Sequence, residues 1–357
     1  MVAPLDWGLG HTTRCVPIIR WLQRQGHVVV VAGNEAQLSF IDKIFSGIER
    51  IHLEGYNIRY AQNDRMGKAV LLGQVPAICI SIKKEHLWLE QNIKTIAPDF
   101  IISDNRYGLY FKGIPSIILT HQLMVQTGMG NLANQLTQKL HYNFLKHFDE
   151  VWVPDVETSP NLGGALAHCD KLPPTTKYIG LLSQFEGLPD SNTVGSKLLI
   201  MLSGPEPQRT ILADILWQQC LALQRQVIFV AGSSSAAAPT HIPAHIRYYT
   251  RSGGSELAGF IAEAEIVVCR SGYSSLMDLV LLGKKAILIP TPGQTEQAYL
   301  ARHLEQEGIF LGAEQSNFNL SVALKKAEDF LFRPSQLQAH FRDFERELDR
   351  WMKTKTL

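Results

Sequence analysis

Residues 266–297, IVVCRSGYSSLMDLVLLGKKAILIPTPGQTEQ, constrain the fold more than any other stretch of the chain. Ile266 to Cys269 is a short apolar run suited to a parallel strand covered on both faces. Arg270, Ser271 and Gly272 follow at its C-terminal end. Next comes a helix that Ser274 or Ser275 can cap and that Gly283 can end. A second apolar strand and a polar, Gly-containing turn complete one βαβ unit. The N-terminus of the helix offers unpaired N–H groups and the positive end of the helix dipole, which suits a phosphate. Arg270 adds a forked cation there. Asp278, one turn inside the helix, is placed to accept hydrogen bonds from sugar hydroxyls. Gln294, Glu296 and Gln297 form a second hydroxyl-binding set after the next strand. Groups for diphosphate, ribose and sugar on one βαβ unit point to a nucleotide-sugar site. The bland alternative is an ordinary α/β crossover with a polar loop.

The rest of the chain repeats the same alternation. Val2 to Leu5, His27 to Ala32, Phe100 to Ser103, Ser116 to Thr120 and Glu150 to Val153 read as strands. Between them, Thr13 to Gln25, Lys84 to Ile96 and Leu132 to Lys146 carry helical patterns, with Gly26 as the cap of the first. After a stretch rich in Gly, Ser, Asp and Pro, strand signals resume at Lys197 to Leu202, Val227 to Ala231 and Ile246 to Thr250, with a helix over Pro207 to Leu223. Such alternation predicts parallel, doubly wound sheets. The expected division is a first domain over 1–182, a linker over 183–196 and a second domain over 197–334. A charged amphipathic helix is expected over 335–357. A length of 357 residues suits two domains, each able to bury a core. The formal charge of +1 exerts no global pull toward nucleic acid or an anionic membrane. The five cysteines are scattered, odd in number and without a CxxC pair, which fits a reducing, cytoplasmic setting. No signal peptide and no bilayer-length apolar run is visible. The opening strand is short and lacks a charged lead-in, so it is expected to be weakly anchored, with some of it lying upstream.

The segment Cys269-Arg270-Ser271-Gly272 and its helix resemble the donor-binding half of GT-B glycosyltransferases, most closely family 28, which includes the N-acetylglucosaminyltransferase of peptidoglycan synthesis. The resemblance implies two Rossmann-like domains with parallel sheets facing an interdomain cleft. It implies that Asp278 holds the donor ribose, where the family usually has Glu. It also implies that Gln294, Glu296 and Gln297 contact the sugar. In the family the first turn of the second domain is Gly-Gly-Ser-like and gives backbone donors to the diphosphate. Ser203 and Gly204 stand in that place, with Pro205 and Pro207 removing two N–H groups. Thr250 and Arg251 match the segment that lies against the nucleobase. The terminal helix is expected to cross back onto the first domain, as it often does in this fold.

Asp6 to Thr13 links the first strand to the first helix, and Gly8 and Gly10 allow a tight turn and close approach to a ligand. Read alone, the pair is an incomplete GxGxxG, and Glu35 just past the second strand keeps a dinucleotide open, though Gly33-Asn34 stands where the ribose acid would be. The same loop resembles the family's N-terminal glycine loop with its Gly-His pair, and His11 matches that histidine. The resemblance implies a base that takes the acceptor hydroxyl proton, although His11 could instead orient a hydroxyl or cap the helix. Asp104, at the end of an apolar strand, is the candidate partner for its ring, with a turn-forming role as the alternative. Asp6 is a weaker rival. His121 and Gln122 resemble a cleft turn of the family and are candidate acceptor contacts. Ala69 to Ile82, flanked by Lys68, Lys83 and Lys84, is a cleft wall or, less favoured, a peripheral membrane contact at the inner face. No Asp-x-Asp occurs, which fits chemistry without a metal or other cofactor. The expected activity is inverting transfer of a hexose or N-acetylhexosamine from a nucleotide sugar, with uridine diphosphate favoured, to a saccharide or lipid-linked hydroxyl. The alternatives are a UDP-N-acetylglucosamine 2-epimerase-like enzyme, a nucleotide-sugar-binding protein without turnover and an NAD-dependent enzyme.

Overall fold

A computed structural model describes residues 1–56, 75–124, 130–187, 195–233 and 238–355. Residues 69–74 of the apolar run, 188–194 of the expected linker and 234–237 of a Ser/Ala loop lie outside the described residues. The described chain divides into two units. One holds the residues up to Gln184 together with those from His340 onward, and the other holds Phe185–Ala339.

In the first unit the elements run β1 (Val2–Pro4), α1 (Leu9–Arg24), β2 (Val30–Gly33), α2 (Glu35–Ile44), β3 (Glu49–His52), α3 (Val75–Ile96), β4 (Ile101–Asp104), β5 (Ser116–Leu119), α4 (Asn131–Leu145), β6 (Glu150–Val153) and β7 (Thr176–Tyr178). The sheet is all parallel, in the order β3-β2-β1-β4-β5-β6-β7. Strand order reverses between β1 and β4, so the C-terminal ends of these two strands flank the point where such sheets bind ligands. The opening strand is not weakly held. Val2 and Ala3 are fully buried, and β1 pairs with a strand on either side. Side chains complete its C-terminal end, where Arg106 Nε donates to Pro4 O at 2.8 Å and Gln37 Nε2 donates to Leu5 O at 2.8 Å.

α1 starts four residues earlier than the apolar pattern suggests, at Leu9 rather than Thr13, so Pro17 lies well inside it rather than near its first turn. α2 begins with a capping box, in which Asn34 Oδ1 accepts from Gln37 N and Gln37 Oε1 accepts from Asn34 N. Asn34 therefore spends its side chain on the helix, which removes it from the ribose-binding position of a dinucleotide fold.

The second unit runs β8 (Lys197–Met201), α5 (Gln208–Leu221), β9 (Val227–Val230), β10 (Ile246–Tyr249), α6 (Gly254–Glu263), β11 (Ala264–Cys269), α7 (Tyr273–Leu281), β12 (Lys285–Leu288), α8 (Thr295–Gln306), β13 (Leu311–Gly312) and α9 (Leu320–Asp329). Its sheet is also parallel, ordered β10-β9-β8-β11-β12-β13, and reverses between β8 and β11. One core of apolar side chains, among them Leu198, Ile200, Leu216, Phe229, Val268 and Ile287, packs under it.

Residues 335–357 are not one helix. A 3-10 turn over Pro334–His340 precedes α10 (Asp343–Lys355). α10 buries Phe344, Leu348 and Trp351, spaced at i, i+4 and i+7, against the first unit. The Trp351 ring meets Phe100 edge-on at 5.6 Å and Trp152 at 6.4 Å. Leu181 N donates to His340 O at 3.0 Å. Among the described residues no helix is long and apolar enough to cross a membrane.

Candidate functional site

The end of β1 leads into α1 through Asp6-Trp7-Gly8. Gly8 is the N-cap of α1, at φ 80°, a conformation that favours glycine, and no side chain caps the helix there. Asp6 Oδ1 accepts from Tyr56 N at 2.9 Å and so ties down the chain after β3, which uses that carboxylate structurally.

Four side chains meet over the ends of β1 and β4. His11 lies in the first turn of α1 and Asp104 is the last residue of β4, fully buried. His11 Nδ1 lies 3.2 Å from Asp104 Oδ2. The expected pair is therefore assembled, but it is not alone. Arg14, three residues along α1 and 2% exposed, reaches the same carboxylate with its Nε at 2.8 Å from Oδ2, and its Nη2 donates to Oδ1. Nη2 also lies 2.8 Å from His11 Nδ1, and Nη1 lies 3.0 Å from His121 Nδ1. The Asn105 amide, oriented to satisfy its neighbours, donates to Thr120 Oγ1 at 2.9 Å and accepts from Arg14 Nη2 at 3.3 Å. The Cys15 thiol points at Asp104 Oδ2 at 3.8 Å, and burial pushes its pKa well up.

The electrostatics follow from this packing. Burial and then the Arg14 charge hold the His11 imidazole below its ordinary pKa. Burial alone would raise the Asp104 carboxyl. The Arg14 cation, with the hydrogen bonds from His11 and Arg14, outweighs it and holds the carboxyl well below the usual range. At neutral pH the cluster is a neutral imidazole beside a bidentate Arg–carboxylate pair.

His121 was expected at the acceptor. It is 5% exposed and turned inward onto Arg14, so it belongs to the charge cluster instead. Gln122 is half-buried outside the cluster, with its N–H on Thr120 Oγ1 at 3.3 Å. A second buried ion pair lies beside the site, where Arg106 Nη1 bonds Glu85 Oε1 at 2.8 Å and Tyr56 OH donates to Glu85 Oε2 at 2.8 Å. It braces the strand ends.

In the second unit, the turns after β8 and β11 flank the order reversal. α7 begins at Tyr273 with Gly272 as its N-cap and without a side-chain cap, so the expected caps Ser274 and Ser275 fall inside its first turn. The space where a Gly272 side chain would stand is open. Ser203 and Gly204 are exposed, and a Cβ on Gly204 would stand 3.6 Å from Thr291 Oγ1, which sets the β8 turn against the turn after β12.

Arg270 departs from its expected role. It is 1% exposed, with Nη1 on Ile289 O at 3.2 Å and Pro290 O at 3.0 Å, and Nη2 on Gln208 O at 2.7 Å. Burial lowers its pKa to about 10. Its fork clamps three carbonyls rather than standing open to a phosphate. Ser271 is likewise spent, with Oγ donating to Gln297 O at 2.9 Å. Gln297 Oε1 accepts from Thr291 N at 2.9 Å and its Nε2 donates to Gln294 Oε1, so this pair knits the turn before it can meet a sugar. Glu296 is half-buried in the first turn of α8, and Asp278 is 6% exposed on α7. Thr250 and Arg251 follow β10, two strands away from the reversal. The sequence reading missed Arg14 and also Thr291, whose buried Oγ1 has no hydrogen-bond partner among the described residues.

Comparison with known proteins bears on both halves. Residues 218–347 match the glycosyltransferase family 28 C-terminal domain. An uncharacterized glycosyltransferase of Methanosarcina mazei is 20% identical over 327 residues, covering 84% of this chain and 82% of its own. The UDP-N-acetylglucosamine–N-acetylmuramyl-(pentapeptide) pyrophosphoryl-undecaprenol N-acetylglucosamine transferase of Methylorubrum extorquens is 37% identical over 84 residues, 23% of each chain. Among solved structures, the glycotransferase of kitacinnamycin superposes with a TM-score of 0.70 at 16% identity, covering 99% of this chain and 97% of that one.

This chain is a family 28-like glycosyltransferase of GT-B fold.

As a glycosyltransferase of this type it uses nucleotide-sugar donors.

Proposed function

We propose that this enzyme transfers a hexose or N-acetylhexosamine from a uridine diphosphate sugar to a hydroxyl acceptor, with inversion and without a metal. The observation that carries the mechanism is the 3.2 Å approach of His11 Nδ1 to Asp104 Oδ2. With its proton on Nδ1 and bonded to Asp104, His11 has an Nε2 lone pair for the acceptor O–H. The acceptor oxygen bonds to the anomeric carbon as the bond from that carbon to the diphosphate oxygen breaks. The proton passes to Nε2, and the leaving electron pair stays on the diphosphate. One displacement inverts the centre.

Asp104 faces the imidazolium that forms, which favours the proton transfer. The departing charge is met by the N–H groups at the start of α7 and by the exposed Ser203-Gly204 turn. Arg270 supports this by holding the turns in place rather than by touching the phosphate. The lowered His11 pKa suits a base, because the ring stays unprotonated at neutral pH.

The uridine preference rests on the local similarity to the UDP-N-acetylglucosamine-named relative, and metal independence rests on the lack of Asp-x-Asp in the sequence. A lipid-linked acceptor, met from the inner face of a membrane, fits the exposed Ile80 and Leu87 on α3 beside Lys83 and Lys84. The test is a thermal-shift screen with UDP, thymidine diphosphate, ADP and NAD, followed by transfer assays with and without EDTA. Stabilisation by NAD alone sinks the reading, and loss of activity in EDTA sinks its metal-free part. Sedimentation with anionic vesicles tests the membrane contact.

A further inference from the structure

One ring nitrogen of His11 faces two neighbours that it cannot satisfy together. Nδ1 stands 2.8 Å from Arg14 Nη2, which can only donate, and 3.2 Å from Asp104 Oδ2, which accepts. A neutral imidazole carries one proton. With that proton on Nδ1, the ring donates to Asp104 and Nε2 is free to take a proton. With it on Nε2, the Nδ1 lone pair accepts the Arg14 N–H, and Nε2 is a donor that cannot serve as a base.

The shorter contact is the one to Arg14. That guanidinium is fixed by its grip on both oxygens of Asp104 and by His121 Nδ1 at 3.0 Å. The groups facing the His11 ring are thus Arg14 from α1, Asp104 from β4 and, behind Arg14, Asn105 and His121.

We propose that Arg14 is a positioning residue that competes with Asp104 for His11 Nδ1, holding the resting enzyme in the Nε2–H form, so that His11 becomes a base only when that contact yields. The proposal rests on reading His11 as the base. An acceptor hydroxyl that points its hydrogen at Nε2 needs a lone pair there, and so selects the other form. Arg14 Nη2 has a second acceptor waiting in Asn105 Oδ1 at 3.3 Å, and the Nδ1 proton then goes to Asp104. The consequence is a base that is weak toward stray water and competent toward an aligned acceptor, which limits wasteful hydrolysis of the donor.

The experiment is a long-range ¹⁵N–¹H spectrum of the full chain with ¹⁵N-labelled histidine, at a pH where His11 is neutral, assigned by loss of its peaks in His11→Ala. The expected result without acceptor is a protonated Nε2 and an unprotonated Nδ1. A protonated Nδ1 in the unmodified enzyme overturns the proposal and needs no variant to fold. Arg14→Lys keeps the cation but shortens the fork. It is expected to shift the population toward Nδ1–H and to raise the ratio of donor hydrolysis to transfer several-fold. An unchanged spectrum with an unchanged ratio overturns the proposal as well. If His11→Ala still transfers sugar at the original rate, the base reading fails while the tautomer result stands, so the two failures are distinguishable.

Discussion

The two units reverse strand order at equivalent places, yet they furnish those places with opposite chemistry. In the first unit, side chains carry the site. A carboxylate, a guanidinium and two imidazoles pack against one another at the ends of β1 and β4, with His11 the most exposed of them. In the second, the backbone carries it. Among the described residues its one buried cation, Arg270, is consumed by three carbonyls, which leaves the start of α7, without a side-chain cap, and the exposed Ser203-Gly204 turn. The difference suits the two tasks proposed for them. Moving a proton needs groups whose charge can change. Holding a diphosphate needs donors whose charge cannot change, and backbone N–H groups supply them at any pH.

The comparison breaks most visibly at His11. His11→Ala is expected to lower kcat by about 10²–10⁴-fold while leaving the dissociation constant for UDP within about twofold, measured by transfer assay and calorimetry. Because the ring pKa lies below 6.5, the rate of the unmodified enzyme should hold as pH falls to that value and drop only beneath it. An acidic limb centred well above 6.5 contradicts the assignment. Asp104→Ala leaves Arg14 buried without its carboxylate, and removal of one partner from a buried pair costs about 3–5 kcal/mol, read as a fall in the denaturation midpoint. Asp104→Asn should cost less and should separate catalysis from folding.

The same test in the second unit should read differently. Arg270→Ala strands the carbonyls of Ile289, Pro290 and Gln208. At roughly 1 kcal/mol for each lost bond, a destabilisation of about 2–3 kcal/mol is expected. Since the fork is held by three carbonyls, affinity for UDP and for uridine should fall together. A loss confined to UDP would show that Arg270 does reach the phosphate, and would erase the contrast between the units.

What the sequence disclosed tracks how local the cause is. The alternation of strands and helices gave both parallel sheets. His11 was legible through the resemblance of its glycine loop, and Asp104 because it sits at the C-terminal end of an apolar strand, where such sheets meet ligands. Arg14 was hidden by a boundary error. With the helix drawn from Thr13, His11 falls in the preceding loop and nothing sets Arg14 on a shared face with it. With the helix starting at Leu9, His11 and Arg14 are i, i+3 neighbours on one face. Arg270 was misread for another reason. Its three acceptors come from residues 208, 289 and 290, and nothing near 270 announces them. The Asn34 and Gln37 capping box was visible as a pattern of residue types and marks the start of α2.

The smallest expected effect concerns what the first unit needs beyond its own sheet. Gly180 adopts φ 74°, and a Cβ there would stand 2.1 Å from His340 O, the acceptor of the Leu181 N–H. Gly180→Ala therefore strains the backbone and pushes on the 3-10 turn that leads into α10. A cost of about 1–3 kcal/mol is expected, the range for a non-glycine residue held in a sparsely populated conformation. The Trp351 packing against Phe100 and Trp152 should loosen with it, so a Trp fluorescence shift ought to accompany the lower melting temperature. UDP affinity, which the proposed function assigns to the second unit, should stay put. If Gly180→Ala instead weakens UDP binding as much as it weakens the first unit, then the division of labour between the units is less complete than their separate hydrogen-bond networks imply.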